Sequence, residues 1–221
     1  MSNRIGMLLV FIILVSSGCQ TDKDVESKKP SDMNESELPD MHAFNDPFTL
    51  DFLQSTEETE EGFYPFLSQT GKYKMDFPAN GVIDEWSYSV KDNVFEEVHI
   101  SIEDDTGFGM DVIYFSSNTK DLLKDDLDAF KTRLGYDGDF EKLEKDDRTI
   151  YYAHYKNDVF RTFAGYILNE QGTGGIEVIY NIDCLDKEEQ CRKNKQSDKK
   201  RGMAWLESIQ FIDGDESEDD E

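Results

Sequence analysis

Between residues 72 and 182 the chain repeats a pattern that leaves it few folds to choose from: short runs in which every second residue is apolar, parted by turn residues. In "KYKMDFP" Tyr73, Met75 and Phe77 share one side, and Pro78 ends the run. "EWSYSV" sets Trp86, Tyr88 and Val90 in the same way, and Asp92-Asn93 reads as a turn. "EVHISIE" points Val98, Ile100 and Ile102 inward and Glu97, His99 and Ser101 outward. "MDVIYFS" follows a turn at Gly107 and Gly109. "RTIYYAHY" and "FRTFAGYIL" flank Asn157-Asp158, and "GIEVIYNI" follows the glycine turn in "NEQGTGG". A period of two is the signature of strands that bury one face, and such short connections allow only antiparallel neighbours.

Two stretches break the pattern. Leu123, Leu127, Phe130 and Leu134 recur at helical spacing, with Asn118 or Thr119 available as a cap and Gly135 as the stop. Near the end, a charged segment with Met203, Trp205, Leu206 and Ile209 as anchors reads as a second helix. The expected fold is therefore α+β: an antiparallel sheet of about six to seven strands covered by helices. Ahead of it, Phe48, Leu50, Phe52 and Leu53 read as a short piece packed on the domain, and Glu57, Glu58, Glu60 and Glu61 as a solvated acidic cluster.

The chain of 221 residues carries 23 Lys+Arg against 49 Asp+Glu, a formal charge of −26. A surface of that sign repels nucleic acid, which excludes DNA and RNA as expected partners. The 15 Phe and 10 Tyr supply enough apolar bulk for a packed core, so disorder of the whole chain is excluded as well.

The front of the chain is built differently. Arg4 gives a positive start, Ile5 to Val15 is apolar apart from Gly6, and Ser16-Ser17-Gly18-Cys19 closes the run. This is the layout of a secretory signal, too short to span a bilayer as a stable helix. Residues 20–41 are rich in acids and lysines with almost no apolar bulk, the composition of a flexible tether. The expected organisation is a signal peptide at 1–18, Cys19 with an acidic linker to residue 43, one domain over 44–212, and a disordered acidic tail at 213–221.

Gly18-Cys19 resembles the lipobox of bacterial lipoproteins, although Ser16 stands where a leucine-like residue is usual. The resemblance implies cleavage between Gly18 and Cys19 and diacylglycerol on the Cys19 thiol. A lipid-anchored protein on the extracytoplasmic face of the membrane follows from it. Tyr73, Phe77 and Pro78, then Trp205 to Ile209, are similar to the opening strand and closing helix of the PsbP/Mog1-like sandwich. "ELPDMHAF", "STEETEEGFY" and "KYKMDFP", together with the leader, resemble the YvcA-type lipoproteins. That likeness implies surface anchoring and brings no assigned chemical activity with it.

No expected catalytic or metal site emerges. His42, His99 and His154 lack metal-ligand spacing, and no G-x-S-x-G, P-loop or H-E-x-x-H pattern occurs. "DGDFEKLEKDD" and the tail "DGDESEDDE" lack the glycine and terminal acid of an EF-hand. No cofactor is expected. Cys184 and Cys191, outside the cytosol, either form a disulfide or stand as free thiols two turns apart on a helix. Arg192, Lys193, Lys195, Lys199, Lys200 and Arg201 crowd into "CRKNKQSDKKR", a local reversal of sign. That stretch is either a contact patch for an anionic wall polymer or an envelope protein, or a solvated loop paired with the protein's own acids. The sequence thus points to a non-catalytic binding or structural role at the envelope. A solute- or ion-binding accessory of a transporter, or an envelope enzyme, are the alternatives.

Overall fold

The computed structural model describes residues 28–102, 108–156, 159–184 and 188–212. Gly18, Cys19, the turn residues Gly107, Asn157 and Asp158, and the tail at 213–221 lie outside the described residues.

The alternating segments form a large antiparallel sheet. Its strands are β3 (Gly81–Ile83), β4 (Ser89–Lys91), β5 (Phe95–Ile102), β6 (Phe108–Phe115), β7 (Glu141–Glu144), β8 (Arg148–Lys156), β9 (Phe160–Asn169) and β10 (Gly175–Asp183). They run in the order β3-β5-β6-β10-β9-β8-β7, with β4 beside β3 on the edge of β5. A second, three-stranded sheet joins β1 (Phe63–Leu67), β2 (Tyr73–Pro78) and β11 (Gln210–Phe211). The fold is α+β, with more strands than the period-two runs alone provide. The additional ones, β1, β3, β7 and β11, are two to five residues long, too short or too polar to display a period.

The main core fills the space between the large sheet and a cover made by the small sheet and helix α4 (Glu188–Ser208). Val98, Ile100, Val112, Val178 and Phe163 from the large sheet meet Phe66, Tyr73 and Phe77 from the small one and Trp205 and Leu206 from α4. Helix α3 (Leu123–Leu134) covers the opposite face, where Phe130 packs on Ala164, Tyr166 and Leu168. The central strand β9 is consequently buried on both sides. Helix α4 approaches it very closely: a Cβ on Gly165 would stand 2.6 Å from Leu206, and one on Gly202 would stand 2.8 Å from Phe163. Trp205 Nε1 donates to the carbonyl of Asp76 on β2 at 2.8 Å, which fixes α4 to the small sheet as well.

Three sequence expectations are corrected. Trp86, read as inward, is 96 % exposed. Asp84 explains it: its carboxylate accepts from Trp86 N and Ser87 Oγ, and its carbonyl from Ser87 N and Tyr88 N, so residues 84–88 form a turn. Helix α3 starts at Leu123 without Asn118 or Thr119 as cap, because Asn118 is drawn away to donate to Tyr166 Oη at 2.9 Å. Residues 28–43, assigned to the linker on composition, already lie on the domain. They carry 3-10 turns at Pro30–Asp32 and Glu35–Glu37 and lead into α1 (His42–Asn45) and α2 (Pro47–Leu50). Pro30 and Ala43 are buried and Leu38 packs on the core, three contacts too widely spaced to show as a pattern.

Candidate functional site

Strand alternation places residues 161, 163, 165 and 167 of β9 on the face toward α4. Arg161 thus enters the layer beneath the helix instead of solvent, and it is 4 % exposed. Its guanidinium donates to Asp198 Oδ2 at 2.6 Å and to the carbonyl of Cys191, both on α4. Asp198 is equally buried, so the pair is removed from water and ties β9 to the first half of the helix.

Cys184 and Cys191 are joined by a disulfide. It fastens the start of α4 to the end of β10 and closes a small loop, which stabilises by about 2–3 kcal/mol in the loop-closure model.

On the neighbouring strand β8, His154 faces the same side. It stacks on its cross-strand partner Phe163, ring centroids 4.2 Å apart. Its Nε2 is buried without a hydrogen-bond partner. Burial, then the nearby charges of Arg161, Lys199 and Lys195, lower its pKa from 6.5 to about 4. The folded domain therefore holds a neutral imidazole at pH values where the unfolded chain would protonate it. The stabilisation is complete above about pH 6.5 and is lost as the pH falls toward 4. Between those limits the wild type should lose about 2 kcal/mol more than His154→Gln, allowing for the ring's partial exposure. Urea unfolding of both proteins at a series of pH values checks this; parallel pH profiles would contradict it.

These groups line a cleft of about 600 Å³ between the ends of β8 and β9 and the first turns of α4. Lys156, Arg192 and Lys195 bring positive charge to it beside the Arg161–Asp198 pair, and among the described residues Glu189 is the one acid in the lining. Glu189 is itself paired with Lys193 at 2.7 Å. In a chain of charge −26 this is a concentrated reversal of sign. The cleft suits an anionic group, and the neutral His154 ring in its lining adds no further charge.

The basic run, read either as a contact patch or as a solvated loop paired with the protein's own acids, lies on a helix that divides it. Arg192 and Lys195 line the cleft, and Lys199 lies near enough to act on His154. Lys193 turns to Glu189, Arg201 approaches Asp198 at 3.7 Å, and Lys200 is exposed. Lys156 and Arg161 come from other elements and were not legible as site residues. For Arg161 the one signal was an arginine at an inward position of an apolar strand.

The other histidines stand elsewhere. His42 opens α1. His99 meets Asp111 at 2.6 Å through Nδ1 and Glu97 at 3.3 Å through Nε2, on the face of the large sheet turned away from the main core. With carboxylates at both ring nitrogens, His99 keeps neither one open for a substrate. Among the described residues no group of three or more His, Cys, Asp or Glu could hold a metal ion.

The family model described as "Putative lipoprotein YvcA" matches residues 39–210. A Bacillus subtilis (strain 168) protein described in the same words is 25% identical over 236 aligned residues, covering 96% of this chain and 98% of its own. Among solved structures, a Bacteroides thetaiotaomicron VPI-5482 protein superposes with a TM-score of 0.41 at 10% identity, too distant to argue from. That match takes in 68% of this chain, which spans about half (48%) of the solved one. The family match covers the helices, both sheets and the cleft between β8, β9 and α4, and on it this chain belongs to the YvcA lipoprotein family.

Proposed function

We propose that this protein is carried on the extracytoplasmic face of the membrane by acyl chains on Cys19. There it acts as a binding protein without catalytic activity, receiving an anionic group of an envelope polymer or protein in the cleft between β8, β9 and α4. The observation that carries the reading is the convergence of Lys156, Arg192 and Lys195 in one cavity of a strongly acidic molecule. The acidic surround repels a polyanion everywhere else, so the field itself directs such a partner to the cleft. Family membership supports the anchor, and two or more acyl chains hold a protein at a bilayer durably. The cavity volume favours a small anionic solute as the second reading, as in an accessory lipoprotein of a transporter.

Two measurements test this. Fatty-acid labelling and membrane fractionation should show Cys19→Ala unlabelled and released from the membrane fraction. Polyphosphate and inorganic phosphate serve as probes of the cleft. Arg192→Glu combined with Lys195→Glu should weaken polyphosphate binding by about tenfold or more. Lys193→Glu, whose lysine is turned to Glu189, should have a small effect. Bound polyphosphate should also raise the His154 pKa, read by NMR. Equal affinity in wild type and the double variant would overturn the cleft as the binding site.

A further inference from the structure

Trp86 stands apart from every other large apolar side chain on the described surface. It is 96 % exposed, whereas the next most exposed, Leu122 and Val94, are at 47% and 46%. Single exposed apolar residues are ordinary, but a tryptophan offers the largest apolar area of any side chain. Here nothing leaves it to chance, since the Asp84 turn fixes the backbone on either side of it.

Its position bears on its use. Helix α2 grips both ends of this turn: Thr49 Oγ1 accepts from Ile83 N at 2.8 Å, and the Phe48 ring lies 5.3 Å from that of Tyr88. The same helix carries the 3-10 turn at Pro30–Asp32, where the chain joins the domain. Trp86 and the start of the domain therefore share one flank. From Cys19 to Lys28 there are nine residues of chain, which extend to at most about 30 Å. A lipid on Cys19 keeps this flank close to the bilayer.

We infer that Trp86 is a membrane-interface anchor that seats in the headgroup layer of the outer leaflet and docks the tethered domain on that flank. Tryptophan favours this layer because its ring is apolar and its N–H remains hydrated. The inference rests on the lipid anchor at Cys19 proposed above.

The full-length lipidated protein, inserted into preformed phosphatidylcholine vesicles, provides the test. The protein has 2 Trp, and Trp205 is 2 % exposed in the core. The fluorescence difference between wild type and Trp86→Phe is thus the signal of Trp86. Its iodide quenching constant should lie at least about threefold below that of N-acetyl-tryptophanamide, since a ring at headgroup depth is screened over most of its surface. Brominated acyl chains should quench it, and both effects should persist in high salt. If the protein carries acyl chains and floats with the vesicles while Trp86 is quenched as freely as the reference, the inference is overturned and the anchor stands. If the protein carries no acyl chain and does not float, the anchor falls and this inference with it. Screening that appears only after an envelope polymer is added would overturn membrane docking in favour of a polymer contact.

Discussion

Asp198→Ala should destabilise the domain by about 3–5 kcal/mol, the cost of leaving one member of a buried ion pair without its partner. The orphaned group is the Arg161 guanidinium, which is 4 % exposed and points into the layer under α4. Its remaining contact to the Cys191 carbonyl does not compensate a full charge. Arg161→Leu combined with Asp198→Leu should recover much of the loss, because apolar pairs of similar volume often match buried ion pairs in stability. Urea unfolding of the three proteins decides the point; a double variant no more stable than Asp198→Ala would argue against the pair as the source of the loss.

Glu96→Ala should have an effect of similar size, about 4 kcal/mol, for a different reason. Glu96 lies on the inward face of β5 and is 0 % exposed. Its carboxylate accepts from Gln69 N at 2.9 Å, Thr70 N at 3.2 Å, Thr70 Oγ1 at 2.9 Å and Tyr88 Oη at 3.1 Å. Burial, then the nearby Glu96 charge, pushes the Tyr88 phenol far up, so it remains a donor throughout the working pH range. One side chain of the large sheet thereby closes the turn between β1 and β2 of the small sheet. Removing it strands two backbone donors, each costing about 1–3 kcal/mol when buried without an acceptor. Chemical unfolding measures the total. Hydrogen exchange at Gln69 and Thr70 should quicken beyond the global loss; if it does not, the carboxylate is not what holds that turn.

The parts of the fold that were legible are those where burial is decided by alternation. Val98, Ile100 and Ile102 on β5, and Tyr73, Met75 and Phe77 on β2, are buried as their spacing dictates. What the pattern hides is polar residues in inward register. Glu96 and Arg161 occupy such positions, and only their partners in space, Thr70 and Asp198, make them tolerable there. The same limit applies to the cleft. Arg192 and Lys195 belong to an evident basic run, but which members of that run meet His154 and Lys156 depends on the facing of α4. Trp86 shows the converse. Its alternation with Tyr88 and Val90 is genuine in sequence, and a local turn held by Asp84 overrides it.

The close seating of α4 on β9 through Gly165 and Gly202 bears on how the cleft would receive the proposed anion. The helix is wedged against the sheet near its far end and clasped by the Cys184–Cys191 bridge near its start, so it borders the cleft with both of its ends fastened. If the proposed anion binds there, a cleft bounded this firmly would cost it little ordering of the protein and would discriminate by shape as well as by charge.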